Sequence, residues 1–126
     1  MTVVTPPAPI ILPLGHKYVG TSVADFFRGG DGADTMLGLA GDDRLYGGAG
    51  RDLIEGGDGN EILFGGLDED TIYGGTGIDH IYGGDGNGSL YGGDGDDQVT
   101  GGSGIDVIYG GTGIDKLVGE IGRAHV

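Results

Sequence analysis

The amino-acid sequence predicts an all-β solenoid of short strands, and three observations support this prediction. The chain repeats itself every nine residues over residues 29–118, in ten consecutive repeats without an insertion. Glycine accounts for 33 of the 126 residues, several-fold above ordinary usage, which argues against an ordinary packed core. The eighth position of every repeat is apolar while its neighbours vary, as in a strand with one inward side chain.

Each repeat divides into a glycine-rich part and a strand. We number its positions as columns 1 to 9 from the first glycine, so that GGSGIDVIY at 101–109 is one repeat. Glycine recurs at columns 1, 2 and 4, where we expect turns that need positive φ or close backbone approach. The apolar column 8 predicts a three-residue strand at columns 7 to 9. Leu39 and Asp68 replace glycines of columns 2 and 4, so we expect distorted turns there.

The repeats define three segments of the chain. Residues 20–28, GTSVADFFR, fit as one degenerate repeat. We therefore expect an N-terminal lead and cap over residues 1–28, a repeat domain over residues 29–118, and a non-repeat tail over residues 119–126.

The two ends of the repeat domain lead to different expectations. A solenoid exposes its core at an open end. We expect the first coil to be covered by Ile10, Ile11, Leu12, Val23, Phe26 and Phe27. The tail ends in EIGRAHV, which reads like a translated sequencing adapter, so we expect this terminus to be truncated or artefactual.

Composition excludes several classes of partner. The chain has 20 acidic and 6 basic residues and a net charge of -14, so nucleic acid and anionic membranes would repel it. The absence of cysteine excludes disulfides and thiolate metal sites. No apolar run is long enough to span a bilayer. The N-terminus lacks the basic region of a cleaved signal peptide, so export would need another route.

Column 6 carries the clearest chemical signal. It is Asp in eight of ten repeats, with Glu61 and Gly88 as the exceptions. Aspartate suits turns, but a preference for turns does not explain stacked carboxylates on a chain that is already strongly acidic. Oxygen-only donors, without cysteine and with only the scattered His16, His80 and His125, favour Ca²⁺ over Mg²⁺. The candidate metal ligands are Asp34, Asp43, Asp52, Glu61, Asp70, Asp79, Asp97, Asp106 and Asp115.

The motif G-G-x-G-x-D-x-U-x, in which U is a large apolar residue, resembles the repeats-in-toxin (RTX), or haemolysin-type calcium-binding, family over residues 29–118. The resemblance implies a right-handed parallel β-roll in which two nonapeptides form one coil and six-residue turns stack along two edges. It implies calcium between turns two repeats apart, up to about eight ions for ten turns. It also implies type I secretion from a Gram-negative bacterium and folding outside the cell.

The same resemblance assigns column-6 residues to two edges. One edge would stack Asp34, Asp52, Asp70, Gly88 and Asp106, and the other Asp43, Glu61, Asp79, Asp97 and Asp115. Gly88 supplies no carboxylate, so we expect impaired sites beside it. Glu61 has one extra methylene, so we expect a reshaped site there. Asp25 of the degenerate repeat is a weaker candidate ligand.

The predicted function is calcium binding that drives folding of an extracellular, non-enzymatic module. The sequence contains no H-E-x-x-H, G-x-S-x-G or G-x-x-x-x-G-K-[ST] motif. One alternative is a scaffold or secretion tail of a larger exported enzyme or toxin. Another is an adhesive or glycan-binding module that uses two ladders of aromatic residues in column 9, although stabilising contacts between neighbouring strands are the favoured interpretation of these ladders.

Overall fold

The computed structural model describes residues 10–11, 15–119 and 124–125, with side chains for residues 15–119. These residues form fourteen strands and no helix, so the described part of the chain holds no helix that could cross a membrane. The strands are β1 Ile10–Ile11, β2 Lys17–Val19, β3 Phe26–Asp31, β4 Thr35–Ala40, β5 Arg44–Ala49, β6 Leu53–Asp58, β7 Ile62–Leu67, β8 Thr71–Thr76, β9 His80–Asp85, β10 Ser89–Asp94, β11 Gln98–Ser103, β12 Asp106–Thr112, β13 Lys116–Val118 and β14 Ala124–His125.

Successive strands alternate between two parallel sheets of seven strands each. One sheet has the order β1-β3-β5-β7-β9-β11-β13, and the other has the order β14-β12-β10-β8-β6-β4-β2. Partners in a sheet lie two repeats apart, as in the pairing of Leu90 with Ile72 and Ile108. Two repeats therefore make one coil, and the predicted all-β parallel β-roll is confirmed.

The strands are longer than the sequence predicted. Strands β3 to β11 each have six residues, covering columns 7 to 9 of one repeat and columns 1 to 3 of the next. Peptide groups beyond the apolar triplet continue the ladder, since Gly75 pairs with Gly93 and Thr76 pairs with Asp94. The expectation of a three-residue strand and a six-residue turn is therefore wrong for this structure, in which columns 4 to 6 form the turn.

The core of the described residues is one cluster of apolar side chains, one from each of the strands β3 to β12. Column 8 provides Met36, Leu45, Ile54, Leu63, Ile72, Ile81, Leu90, Val99 and Ile108, all 0% exposed. Alternation along the strand places columns 6, 8 and 1 inside and columns 7, 9 and 2 outside. The inward assignment of column 8 is thus confirmed, and the stack ends at the half-buried Leu117.

The N-terminal end of the core differs from the expectation. Phe27 is buried, as predicted, but Val23 is 65% exposed and Phe26 stacks on Tyr46 on the outer surface. Tyr18 of β2 packs against the core instead. The backbone of Ile10 and Ile11 pairs with β3, and Leu12 lies outside the described residues.

The turns depend on glycines that adopt positive φ. Columns 2 and 4 have positive φ, between 92° and 140° for the repeat glycines, as expected for positions that resist a Cβ. Leu39 and Asp68, which replace two of these glycines, also keep positive φ, at 78° and 79°. Leu39 still pairs with Gly57, so the distortion expected at this position does not break the ladder.

Column 9 forms two ladders of stacked rings on the outer faces of the roll. Tyr46, Phe64 and Tyr82 stack at 4.7 Å between ring centroids, with interplanar angles of 4° and 9°. On the opposite sheet Tyr73, Tyr91 and Tyr109 stack at 4.7 and 5.2 Å. The faces of neighbouring rings contact each other within each ladder, which supports the interpretation that the ladders stabilise adjacent strands.

Candidate metal centre

The column-6 carboxylates lie inside the roll, immediately before the strands. The residue at column 6 faces inward because it is two positions before the buried column 8. These side chains are at most 2% exposed: Asp34, Asp43, Asp52, Glu61, Asp70, Asp79, Asp97 and Asp106. Asp115, near the end of the repeats, is half-buried. A turn residue that served only to cap a surface loop would not need this burial.

One oxygen of each aspartate links successive coils. Oδ1 of Asp52 accepts a hydrogen bond of 2.8 Å from the backbone N–H of Asp34, and Oδ1 of Asp97 accepts one of 2.9 Å from Asp79. The same contact joins Asp97 to Asp115 and Gly88 to Asp106. Every such pair is 18 residues apart, so the column-6 residues form the two rows that the resemblance implied.

The second oxygen has no such partner. Buried carboxylate oxygens without a hydrogen-bond donor belong to Asp34, Asp43, Asp52, Glu61, Asp70, Asp79 and Asp97. Burying an ionised carboxylate without a counter-charge costs several kcal/mol. Within the described residues the only ion pair is Arg51–Glu69, and it lies on the surface. None of these carboxylates takes part in an ion pair of the described residues, although His80, beside Asp79, opposes the rise in the pKa of that carboxyl group.

Backbone carbonyl oxygens approach the same places. A Cβ built on Gly74, in column 1, would lie 2.4 Å from Oδ2 of Asp79 and 2.4 Å from the carbonyl oxygen of Gly92. The column-1 glycine of one repeat thus sits against its own carboxylate and a carbonyl of the next coil. Close approach, and not positive φ, explains glycine in this column, since column 1 lacks positive φ.

These donors fit a hard cation. In the described ranges no three acidic or histidine side chains are arranged so that they could hold a metal ion by themselves, so a metal ion would need backbone oxygens as well. His80 occupies a half-buried, outward position at the start of β9, next to Asp79, and forms no ion pair within the described residues. In seven repeats a buried carboxylate oxygen lies near glycine carbonyls, and this is an all-oxygen donor set, the set that Ca²⁺ prefers.

Burial shifts the acidity of these groups. It raises the pKa of Asp43 and Asp52 to about 6 and that of Asp70 to about 7, although a backbone N–H bond to each opposes the shift. Burial also raises the pKa of Asp79 and Asp97. The pKa of Glu61 is raised by burial and then by the charge of Asp79. Without a cation, the folded roll therefore favours protonated carboxyl groups.

We expect the metal-free chain to gain β structure as the pH falls. The folded pKa of Asp70 lies above its ordinary value of 3.8, so the folded state binds protons more tightly than the unfolded state. Its contribution to stability is fully present below pH 3.8 and is lost as the pH rises through about 7. Circular dichroism in chelator at pH 5 and pH 8 tests this expectation. Equal spectra at the two pH values would contradict it.

Glu61 breaks the hydrogen-bond pattern of its row. Its N–H donates to Oδ1 of Asp79 at 2.9 Å, as in the other repeats. Both of its own carboxylate oxygens, however, are buried without a partner, so the backbone N–H of Asp43 receives no acceptor from it. The extra methylene displaces the carboxylate from the place that Asp occupies elsewhere. The position expected to be reshaped is therefore the irregular one.

We expect Glu61→Asp to stabilise the folded chain. The shorter side chain can accept the hydrogen bond from Asp43 N–H, and a hydrogen bond to a charged group contributes about 1.5 to 3 kcal/mol. We expect a gain of about 1.5 kcal/mol in the free energy of unfolding, measured by urea denaturation in millimolar calcium. Glu69→Asp, which shortens an exposed glutamate, is the control and should change stability little. No gain in Glu61→Asp would contradict the geometric explanation.

The rows continue before the first regular repeat, through Asp25, a weaker candidate in the sequence, and through His16, which the sequence did not indicate. Asp25 uses its second oxygen locally, because Oδ2 accepts a 2.7 Å hydrogen bond from Thr21 N–H, so it offers less to a cation. His16 N–H donates to Asp34 Oδ1 at 2.8 Å, which extends the row before the degenerate repeat. The sequence signal for this earlier coil was Tyr18, two residues after His16, in the place of column 8.

Comparison with known proteins agrees with the repeat and its period. The family model described as RTX calcium-binding nonapeptide repeat (4 copies) matches six overlapping stretches: 19–54, 37–72, 55–90, 64–99, 73–108 and 100–123. Together they cover residues 19–123, most of the chain. No match was found among curated proteins.

Proposed function

Because the chain belongs to the RTX calcium-binding nonapeptide repeat family, we propose that its column-6 carboxylates bind calcium between successive coils and that this binding drives folding. The observation that carries the proposal is the row of buried carboxylate oxygens without a donor or counter-charge. Bound calcium supplies the positive charge that these carboxylates need. Carboxylates and glycine carbonyls of adjacent coils would hold the ions, with Asp79, Asp97 and Asp115 forming the most regular row.

Some positions support the proposal less than others. Gly88 lies between Asp70 and Asp106 in its row and supplies no carboxylate, so fewer donors are available in the two gaps beside it. Glu61 supplies a carboxylate in an irregular position. We therefore propose fewer ions than the eight or so gaps between turns would allow.

We further propose that this module works outside the cell, in a secreted protein of a Gram-negative bacterium, and is not itself catalytic. Extracellular calcium modules bind with dissociation constants of about 10⁻⁴ to 10⁻³ M. With such affinities the chain would remain unfolded at cytosolic calcium and fold after export. The strongly acidic composition supports this view, because self-repulsion favours the unfolded chain when calcium is absent.

The adjacent residues Asp96 and Asp97 provide a matched test. Asp97→Asn removes a buried charge but keeps an oxygen that can accept the hydrogen bond from Asp79 N–H. Asp96→Asn removes an equal charge at column 5, where Oδ1 accepts from Ile114 N–H and where Asn60 and Asn87 already make the same contact. The only intended difference between the variants is burial of the lost charge.

We expect Asp97→Asn to raise the calcium concentration at the folding midpoint about tenfold, which corresponds to about 1.4 kcal/mol. Asp96→Asn should leave the midpoint within about twofold of the parent chain. The measurement is a calcium titration followed by far-UV circular dichroism, with bound calcium counted by equilibrium dialysis. Equal midpoints for the two variants would refute the assignment of column 6 as the ligand column.

A further inference from the structure

A shallow groove lies on the outer face of the sheet that contains β3, β5 and β7. We call it the Arg28 groove. It has a volume of about 330 Å³ and is lined by Arg28, Tyr46, Phe64 and the glycines 30, 48, 65 and 66. This volume is at the lower end of the range for small-molecule sites. The metal rows lie inside the roll, so the groove is separate from them.

The ring stacking decides which parts of the aromatic residues a ligand can reach. Tyr46 and Phe64 lie 4.7 Å apart and nearly parallel, and Phe26 and Tyr82 cover their other faces. A sugar that stacks on an aromatic residue needs a free ring face, so the ladder is a poor glycan platform. The ring edges remain accessible, and their positive partial charge favours the face of another aromatic ring or an anion.

The floor of the groove favours a flat ligand. Gly30, Gly48 and Gly66 occupy column 2 in neighbouring strands and place no side chain on the outer surface. Three strands at about 4.8 Å spacing give a floor roughly 10 Å long, close to the length of two linked six-membered rings. A planar molecule can therefore lie along the roll axis, across the strands, with its edge or face against the ladder.

Arg28 gives the groove a local positive charge. Its guanidinium carbon lies 5.2 Å from the centre of the Tyr46 ring. Five basic residues fall within residues 15–119, and the outward face of this sheet carries three of them: Arg28, Arg44 and Lys116. Arg28 and Arg44 lie on the neighbouring strands β3 and β5, so on a chain of net charge -14 this end of the face is favourable for an anionic ligand.

The opposite sheet has a groove of the same design with the opposite charge. It has a volume of about 310 Å³ and is lined by Glu55, Tyr73 and the glycines 57, 74 and 75. Glu55 and Arg28 both occupy column 9. Glu55 pairs with Tyr73, the first ring of its ladder, as Arg28 pairs with Tyr46 on the other sheet. The second groove is lined by one aromatic ring where the Arg28 groove has two, and the charge at its end is reversed, so it serves as a control for the charge.

We propose that the Arg28 groove binds a flat aromatic anion, of about two linked rings with a carboxylate or sulfonate that pairs with Arg28. The face of the ligand contacts the ring edges of Tyr46 and Phe64 and lies over the glycine floor. This proposal is independent of which residues hold calcium, because the side chains it uses, Arg28, Tyr46 and Phe64, all lie in the outward column 9.

The test uses 8-anilinonaphthalene-1-sulfonate as the anionic probe and thioflavin T as the cationic control, titrated by fluorescence in millimolar calcium. We expect Arg28→Glu to weaken binding of the anionic probe at least tenfold. Arg51→Glu makes the same charge change on an exposed arginine outside the groove, and we expect it to change binding less than threefold. Glu55→Arg leaves the Arg28 groove intact, and we expect it to add a second site for the anionic probe.

Folding is checked separately, since this probe also binds partly folded chains. Circular dichroism and the melting temperature of each variant in calcium must match those of the parent. If Arg28→Glu fails this check, Arg28→Gln replaces it and should still weaken binding at least threefold. Equal loss in Arg28→Glu and Arg51→Glu, or unchanged binding in a folded Arg28 variant, would overturn the proposal.

Discussion

Calcium removal is expected to abolish the β structure of the chain at neutral pH. In the folded state the carboxylates of seven repeats have a buried oxygen without a donor, and the described residues offer no buried cation. The apolar core contributes only one side chain per repeat, which is little against the conformational entropy of a glycine-rich chain. We therefore expect far-UV circular dichroism to show an unfolded chain in chelator and a β spectrum in millimolar calcium.

Magnesium is the control for this expectation. Mg²⁺ demands near-octahedral geometry and loses its waters reluctantly, whereas Ca²⁺ accepts irregular sets of six to eight oxygens. We expect millimolar Mg²⁺ to leave the chain unfolded. A β spectrum that persists in chelator at pH 7.5 would show that the roll is stable without metal, and the proposed coupling of binding to folding would then be wrong.

Substitution of a column-4 glycine is expected to have a comparably large effect. Gly77 has φ of 123°, and a Cβ there would lie 1.7 Å from the carbonyl oxygen of Gly59 in the preceding coil. The neighbour is turn backbone held by the 2.9 Å hydrogen bond that Gly59 N–H donates to the carbonyl oxygen of Thr76, so it cannot move aside without breaking a contact between coils. We expect Gly77→Ala to destabilise the chain by about 4 kcal/mol, measured by urea denaturation in calcium.

Gly88→Ala is the matched control for this substitution. Gly88 is outside the positive-φ glycines, and the nearest atom to an added Cβ is Oδ1 of Asp106 at 3.2 Å. A methyl group at this position needs a shift of a few tenths of an ångström, so we expect a cost below about 1 kcal/mol. Similar stabilities for Gly77→Ala and Gly88→Ala would show that the turn tolerates a Cβ and that the stacking distance is not limiting.

Much of the fold could be predicted from the sequence because the period fixes the register. An invariant spacing of nine residues makes Ile72, Leu90 and Ile108 equivalent, and the structure pairs them in one ladder. The division of the acidic positions into two rows came from the resemblance, which implied two repeats per coil, and not from the spacing alone. In this chain a repeat that tolerates no insertion carries most of the three-dimensional information.

Other features could not be predicted from a column pattern. Asp79 is buried because the in-and-out alternation of the strand extends back to column 6, two residues before the buried column 8. The sequence pattern assigned column 6 to a turn, so it did not indicate this burial. The exposure of Val23 and the core contact of Tyr18 depend on how the first coil closes, where the repeat has lost its column-2 and column-4 glycines. The length of the strands depends on backbone pairing between glycines, which have no side chain to indicate it.

The spacing of backbone partners has a consequence for the growth of the roll. Each strand needs only the strand 18 residues earlier as its template, and no contact between adjacent coils depends on the total number of coils. A new coil can therefore form by pairing with the exposed strands of the coil before it, as soon as its own residues become available. Such a structure has no intrinsic final length, and the chain can gain or lose coils in pairs of repeats without any other part having to be redesigned.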